Sequence, residues 1–380
     1  MIDSFGLYVH VPWCRTKCPY CDFNSHAATT WPEERYVDAL VAELRGATAW
    51  HGARLATVFF GGGTPSLFAP QSIGRILETA AELFVVLPEA EVTLEANPGT
   101  VTVERLRGYR EAGVRRVSFG IQSFQPHVLK VLGRLHTVED TRVAPLTARA
   151  AGFDDVSLDL IFAVPGQSLD DWRADLDTAI SFEPEHVSAY NLTYEEETPF
   201  HALRREGRLV PAADDLEAAM FEEARARLAE SGYRAYEVSN FARPGRECRH
   251  NLNYWTGGAY LGVGAGAHSY EPLADGGRRW SNEKDPEAYA RRALGQGAAR
   301  VFDETLDRDA SAGEFAFLNL RLADGFTEES FRRRFGVEVD DLLPGLGEMV
   351  ARGLVERDRH ALRLTARGLM VADSVFTNLV

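Results

Sequence analysis

Residues 10–26 read HVPWCRTKCPYCDFNSH and contain Cys14, Cys18 and Cys21, three of the four cysteines in the 380-residue chain. They follow the apolar run GLYVHV, residues 6–11, which is typical of a buried strand. Three thiolates from one tight loop can bind a polynuclear metal centre and leave one position open, whereas a structural zinc site normally takes four protein ligands. The loop therefore favours a 4Fe-4S cluster. A zinc site completed by a distant His and cysteines without a shared role are the alternatives.

The composition indicates a globular protein from a reducing compartment. Four cysteines in 380 residues are too few for a secreted disulfide scaffold. The amino terminus MIDSFGLYVH lacks a signal-peptide pattern, and no stretch approaches the roughly 18 apolar residues of a membrane span. We therefore expect a soluble, cytoplasmic chain without an integral membrane segment. The net charge of -15 argues against a nucleic-acid partner.

Six apolar runs, each rich in Val, Leu or Phe, predict buried parallel strands. Most are separated by amphipathic helical patterns, of which PEERYVDALVAELRGA (residues 32–47) is the clearest, with Glu43 largely outside the apolar face. Six strand-then-helix units imply a parallel α/β sheet with right-handed crossovers, open or curled into part of a barrel. The six runs are GLYVHV (6–11), ATVFF (56–60), EVTLE (91–95), VRRVSFG (114–120), DVSLDLIF (155–162) and HVSAYNL (186–192).

Unusual polar and glycine-rich motifs follow the strands repeatedly. Ligands bind at the carboxyl ends of parallel strands, so one face of the sheet is expected to gather the chemistry. GGGTP, residues 61–65, offers unobstructed backbone to a charged amino acid moiety. Glu95, at the start of EANPG, can accept a hydrogen bond from a ribose hydroxyl or an ammonium group. Each motif taken singly is equally compatible with an ordinary turn or cap.

The last third of the chain has a different character. Residues 241–302 are rich in Gly, Asn and aromatic residues, with little helical period, and are interpreted as an irregular lid or substrate segment. Residues 303–380 show three helical patterns, a hairpin over LVERDRHALRLT (354–365) and a last helix, which predict a small winged-helix-like α+β domain. The first domain is assigned to residues 1–240.

The cysteine spacing CxxxCxxC, with Tyr20 before the third cysteine, resembles the radical S-adenosylmethionine (SAM) family. The resemblance implies a partial (β/α)6 TIM-like barrel, a 4Fe-4S cluster on Cys14, Cys18 and Cys21, and SAM bound at the open iron. It also implies a protein that reduces the cluster. The residues that match the family's SAM contacts are Tyr8, Tyr20, Gly62, Gly63, Thr64, Glu95, Gln122, Arg134 and Asp159.

Within that family the chain resembles relatives of oxygen-independent coproporphyrinogen III oxidase. The oxidases carry a further cysteine two positions past the third, where this chain has Phe23, so oxidase activity is not expected. HNLNYW, residues 250–255, matches the HNxxYW motif of the HemW-type heme chaperones. His250 could ligate heme iron while Tyr254 and Trp255 contact the macrocycle. Cys248 and His268 are competing axial ligands, and a satisfied His beside two packed aromatics is the alternative interpretation.

The resemblance therefore predicts a heme chaperone that binds a 4Fe-4S cluster, SAM and heme. Its expected partners are heme, a reductant protein and an acceptor protein, for which a respiratory protein is a candidate. The main alternative is a radical SAM oxidase, methyltransferase or cyclopropanase that acts through a 5'-deoxyadenosyl radical. A zinc-binding or nucleic-acid-binding protein is the other alternative. The carrier and radical-enzyme interpretations differ in whether the chain catalyses a reaction.

Overall fold

Six parallel strands form the centre of the molecule, which confirms the prediction from the six apolar runs. The computed structural model describes residues 4–358, 361–377 and 379. The six strands lie in chain order across one sheet, each paired in parallel with the next, and share one hydrophobic core with the helices around them. The first to sixth central strands are Ser4–Val11, Arg54–Gly62, Val85–Ala96, Arg116–Gln122, Asp155–Phe162 and His186–Asn191.

Helices cover the outside of the central strands. The helix predicted over residues 32–47 runs over Glu33–Gly46, and every residue of its apolar face is buried. Three 3-10 turns, Thr48–Trp50, Pro65–Leu67 and Pro98–Thr100, precede or follow strands. The other helices of this part are Pro70–Leu83, Val103–Ala112, Pro126–Val131, Val138–Ala150, Leu169–Ser181, Pro199–Arg205 and Asp214–Glu230.

Glu43 lies inside the protein, so the expectation that it stays largely outside is wrong. Its carboxylate accepts hydrogen bonds from the Tyr289 hydroxyl at 2.6 Å, the Asn282 amide at 2.7 Å and the Gly264 backbone N–H at 3.0 Å. Burial raises the pKa of Glu43 to about 7 against the effect of those donors. The helical period shows that Glu43 lies beside the apolar face of the helix, but it cannot show that a later segment of the chain covers that side.

That later segment continues the sheet. Tyr260–Val263 pairs in parallel with the first central strand, and His268–Leu273, Gly276–Asn282 and Arg300–Leu306 add antiparallel strands beyond it. At the other edge, two short antiparallel strands follow the sixth central strand and complete a 12-stranded sheet. Those two are Asn240–Ala242 and Arg234–Ala235.

The expectation that residues 241–302 are irregular is therefore wrong. They contain helices Arg249–Trp255 and Pro286–Gln296 in addition to the strands. Glycine masks the strand pattern because the chain packs very closely here: a Cβ on Gly262 would lie 2.0 Å from the His268 carbonyl oxygen. Only glycine permits such an approach.

The carboxyl-terminal residues have a second hydrophobic core. Helices Arg308–Leu320 and Glu328–Phe335 are followed by an antiparallel hairpin, in agreement with the winged-helix-like prediction. The predicted hairpin includes residues 359 and 360, which lie outside the described part of the chain. None of the helices within residues 4–358, 361–377 and 379 has the length and apolar character needed to cross a membrane. The remaining elements are Val339–Leu342, Leu346–Ala351, Val355–Arg357, Leu362–Leu364, Ala366–Met370 and Ala372–Thr377.

Candidate functional site

The cysteine loop leaves the carboxyl end of the first central strand. A short parallel pair, Trp13–Cys14 with His26–Ala27, closes the base of the loop. A turn from the Cys21 N–H to the Cys18 carbonyl, 3.1 Å long, brings the second and third cysteines together. All three cysteines are unpaired, half-buried and line one cavity of about 1330 Å3. We call it the first cavity.

Each thiol of the loop has a polar neighbour. Thr64 Oγ1 donates to Cys14 Sγ at 3.4 Å, and Arg134 Nη1 donates to Cys18 Sγ at 3.4 Å. Cys21 Sγ lies 3.9 Å from Ser25 Oγ. Burial raises the pKa of Cys14 and of Cys21. Thiolates at this site therefore need a nearby positive charge, and a metal centre that bonds to sulfur supplies it.

The three thiolates of the loop have the ligand chemistry of an iron-sulfur cluster. In a cube of iron and sulfide the thiolates bind separate irons, so they must surround a volume rather than meet at a point. Three cysteines around a shared cavity meet that requirement.

The GGGTP glycines are required by close packing within the protein. Gly62 has a φ of 109°, and a Cβ there would lie 2.5 Å from the His10 ring. A Cβ on Gly63 would lie 2.6 Å from the Trp13 carbonyl oxygen. The second strand end is thereby held directly against the base of the cysteine loop. Gly62, Gly63 and Thr64 all line the first cavity beside the cysteines.

Two carboxylates, Glu95 on the third central strand and Asp159 on the fifth, lie on either side of the fourth strand and line the first cavity. Asp159 Oδ1 accepts from Ser188 Oγ at 2.7 Å, and Ser118 Oγ donates to the same carboxylate at 3.0 Å. Burial raises the pKa of Asp159. Burial, followed by the charge of Asp159, raises the pKa of Glu95 to about 8. Two acidic groups on one cavity lining favour a cationic ligand or one rich in hydroxyl donors.

Gln122 and Arg134 supply further polar groups to the first cavity. Gln122 has a φ of 69°, a left-handed conformation that is strained for a residue other than glycine. Its buried Oε1 has no hydrogen-bond partner among the described residues. Arg134 Nη2 donates to the Gly120 carbonyl at 2.9 Å while Nη1 faces Cys18. An unmatched buried acceptor in a cavity is a position that a ligand donor can fill.

The two tyrosines predicted to contact SAM line different cavities. Tyr20 lines the first cavity and packs on Phe200, with ring centroids 6.2 Å apart. Tyr8 faces a second, adjacent cavity, and its hydroxyl lies 3.0 Å from His10 Nδ1. Because His10 Nε2 donates to the Asn24 carbonyl at 2.8 Å, its neutral ring accepts at Nδ1, so the Tyr8 hydroxyl donates. Burial lowers the pKa of His10 to about 4.

The second cavity has a volume of about 790 Å3 and shares Gly62, Glu95 and Asp159 with the first. It reaches from the cysteine loop to the HNLNYW helix. Tyr254, Trp255 and Cys248 line it, as does His268. Other side chains around it are Lys17, Phe59, Arg116, Tyr260, Tyr270 and Lys284.

His250 lines neither cavity, which contradicts the expectation that it offers a nitrogen to heme iron. Its ring is buried and stacks on the Phe59 ring with centroids 5.2 Å apart. Its Nδ1 lies 2.7 Å from Thr57 Oγ1. Nε2 lies 2.8 Å from the Tyr254 hydroxyl. Both nitrogens are therefore occupied, and His250 positions Tyr254. This is the satisfied-histidine alternative.

We predict that His250→Phe lowers the free energy of unfolding by about 1–3 kcal/mol at pH 7, because two buried hydroxyls lose their partner. Burial lowers the pKa of His250 to about 3 from its ordinary 6.5. Its neutral form thus stabilises the fold fully above pH 6.5, and this stability is lost as the pH falls towards 3. From pH 7 to 5 the variant should lose about 2 kcal/mol less than the parent.

Urea unfolding at both pH values tests this prediction. His127→Phe is the control because His127 lies on the surface, paired with Asp171. The role given to His250 would be contradicted if the free energy of unfolding of His250→Phe fell as much between pH 7 and pH 5 as that of the parent.

The other two ligand candidates differ from His250. Cys248 is buried, its Sγ donates to Glu91 Oε1 at 3.5 Å, and burial raises its thiol pKa. His268 is exposed to the second cavity. Within residues 4–358, 361–377 and 379, no side-chain hydrogen bond or ion pair engages its ring.

Several lining residues are absent from the sequence-based prediction. Ser118, Ser157 and Ser188 face the second cavity from three successive central strands, and each follows a valine. This repeated Val-Ser pair is a signal that could have found them. Arg321 and residues 369–374 and 376 reach the first cavity from the carboxyl-terminal domain. No local pattern indicates such a contact between distant segments.

Arg321 also links the domain to the HNLNYW helix. Its guanidinium lies 4.6 Å from the centre of the Trp255 ring, and Nη2 lies 3.6 Å from Glu237 Oε2. The domain therefore packs against both cavities.

Comparison with known proteins assigns the class. The Radical SAM superfamily model matches residues 8–179, and the HemN C-terminal domain model matches residues 306–371. Coproporphyrinogen III oxidase (HemN) from Escherichia coli, a radical SAM enzyme, superposes with a TM-score of 0.85 over 100% of this chain and 90% of that one. At 23% identity this likeness shows the fold. Fold and cysteine loop together define a radical SAM protein with a HemN-type carboxyl-terminal domain.

Curated relatives narrow that class. Heme chaperone HemW from Mycobacterium tuberculosis is 40% identical over 100% of this chain and 95% of the relative. The proteins of that name from Bacillus subtilis and Escherichia coli are 35% and 36% identical, each over 98% of this chain. The matches cover 98% of the Bacillus subtilis protein and 97% of the Escherichia coli protein. The chain belongs to the HemW family.

Proposed function

We propose that this chain is a heme chaperone that binds a 4Fe-4S cluster, SAM and heme and transfers the heme to an acceptor protein. One observation carries the proposal: Tyr254 and Trp255 of the HNLNYW helix line a cavity that shares Glu95 and Asp159 with the cysteine cavity. The similarity of the chain, over its full length, to relatives named heme chaperones also supports the proposal. The chain works in the reducing cytoplasm with a reductant protein and an acceptor, for which a respiratory protein is a candidate.

Cys14, Cys18 and Cys21 hold the cluster. Such a cluster supplies, when bound, an electron and one open iron for the amine and carboxylate of SAM. Thr64 and Arg134 donate to two of the three sulfurs, and donors of this kind favour the thiolate form.

SAM occupies the first cavity beside the cysteines. Glu95 and Asp159 suit its positive charge and its ribose hydroxyls, and the unmatched Gln122 Oε1 accepts a donor. Arg134 has donors suited to a carboxylate. Tyr8 faces the adjacent cavity and interacts electrostatically with Glu95. The remaining contacts of the proposed site are Tyr20, Gly62, Gly63 and Thr64.

Heme occupies the second cavity. Its volume of about 790 Å3 lies within the range of roughly 300–1,000 Å3 for ligand sites. Tyr254 and Trp255 offer flat apolar faces to a macrocycle. Lys17 and Lys284 are cations on the lining that suit the propionates.

Heme titration under anaerobic conditions tests the proposal. The reconstituted protein should bind one heme per chain and should leave added coproporphyrinogen III unchanged. Phe23, 61% exposed and lining both cavities, stands where the oxidases carry the further cysteine. Conversion of the porphyrinogen with release of 5'-deoxyadenosine, and no heme uptake, would support the radical enzyme instead.

We predict that SAM affinity rises about tenfold between pH 7 and pH 9 through Glu95, because the ionised carboxylate is the better acceptor and its pKa is about 8. Glu95→Gln should remove this increment and weaken binding at pH 9 by about 10-fold, the loss of one charge-assisted hydrogen bond. Equilibrium binding of SAM to both reconstituted proteins gives the difference. The protonation of SAM itself changes equally in the measurements on the parent and on the variant, so it cancels in their comparison. An equal pH dependence in parent and variant would refute the role of Glu95.

A further inference from the structure

We propose that His268, on the strand His268–Leu273, is the axial ligand of the heme iron. This inference rests on the proposed function and deepens it by naming the residue that holds the iron. Among Cys248, His250 and His268, only the last presents an unengaged ligand atom to the second cavity.

A continuous aromatic wall leads to His268 from the HNLNYW helix. The rings of Tyr254 and Tyr260 meet edge to face with centroids 4.6 Å apart, and Tyr260 and Tyr270 follow at 6.2 Å. His268 and Tyr270 are two residues apart on one strand, so their side chains lie on the same face of the sheet. All four residues line the second cavity. The wall offers aromatic side chains against which a macrocycle can pack, with an imidazole at one end.

The backbone that carries His268 is firmly held. Gly262 N–H donates to Ser269 Oγ at 2.9 Å, and Asn282 N–H donates to the Ala267 carbonyl at 3.0 Å. Two hydrogen bonds hold the preceding loop. The Glu43 carboxylate accepts from Gly264 N–H, and the Tyr36 hydroxyl accepts from Ala265 N–H at 2.8 Å. A ligand on such a support meets the metal in a fixed geometry.

The loop of His268 also touches the cysteine loop. Asn24 Nδ2 donates to the Ala265 carbonyl at 3.0 Å and to the Lys284 carbonyl at 2.9 Å. Burial, with the positive charges of Lys284 and Arg279, lowers the pKa of His268. The neutral imidazole that binds iron is thereby favoured.

The test compares heme binding of His268→Ala, His268→Cys and the parent after anaerobic cluster reconstitution. The matched control is His127→Ala, a surface histidine outside both cavities. His268→Ala should bind heme at least about 10-fold more weakly, the lower bound seen when groups that support a metal ligand are lost. Added imidazole should restore the parent absorption spectrum, and His268→Cys should give a thiolate-type spectrum.

Iron content and thermal unfolding of each variant show that cluster and fold are retained. If the parent binds heme and His268→Ala keeps its affinity and spectrum, the ligand assignment is overturned while the proposed function stands. If the parent itself binds no heme, the proposed function fails and the assignment fails with it.

Discussion

Cys18→Ala should reduce the iron of the anaerobically reconstituted protein from about four atoms per chain to fewer than one. The cube depends on three thiolates from a single loop, and the lost sulfur is the one that Arg134 contacts at 3.4 Å. Two remaining thiolates leave two irons exposed to solvent, and the cube disassembles. Iron and sulfide assays on purified protein measure the loss.

The fourth cysteine provides the matched control. Cys248 is buried on the HNLNYW side and donates to Glu91, so Cys248→Ala should keep the full iron content. Full iron in Cys18→Ala, or equal loss in Cys248→Ala, would remove the cysteine loop from its proposed role.

The double substitution Tyr254→Ala with Trp255→Ala should weaken heme binding by about 100-fold or more. Each aromatic side chain contributes about 1.5–3 kcal/mol when a ligand buries it, and the two together form the helix-side surface of the second cavity. Spectrophotometric titration measures the effect. Cluster iron and SAM affinity should stay close to those of the parent.

Phe302→Ala is the control for lost aromatic surface. Phe302 is exposed on the edge strand Arg300–Leu306 and lines neither cavity. Because Trp255 also contacts Arg321, the single substitution Tyr254→Ala separates heme contact from domain packing. Unchanged heme affinity in the double variant would place the heme elsewhere.

Much of the fold follows from local patterns in the sequence. Each of the six apolar runs overlaps a central strand, because the strand residues that belong to the core shared with the helices must be apolar. The polar motifs after these runs converge because parallel strands end at one edge. Thr64, after the second central strand, and Gln122, at the end of the fourth, reach the same cavity by that rule.

What the sequence misses depends on contacts between distant segments. Glu43 is buried because Asn282 and Tyr289 cover it, and the strands after residue 260 are hidden by glycines that permit close packing. The imidazole of His250 suits an iron ligand, yet Thr57 and Tyr254 occupy both nitrogens. Helical and strand periods contain no information on such partners.

Transfer of heme tests the central claim most directly. The reconstituted protein is loaded with one equivalent of heme, freed of excess, and mixed anaerobically with apomyoglobin as a probe for heme that can be handed over. We predict stoichiometric loading followed by recovery of intact, unmodified heme in the probe. Failure to load, or heme that stays on the chain or emerges chemically altered, would contradict the account of this protein as a heme carrier.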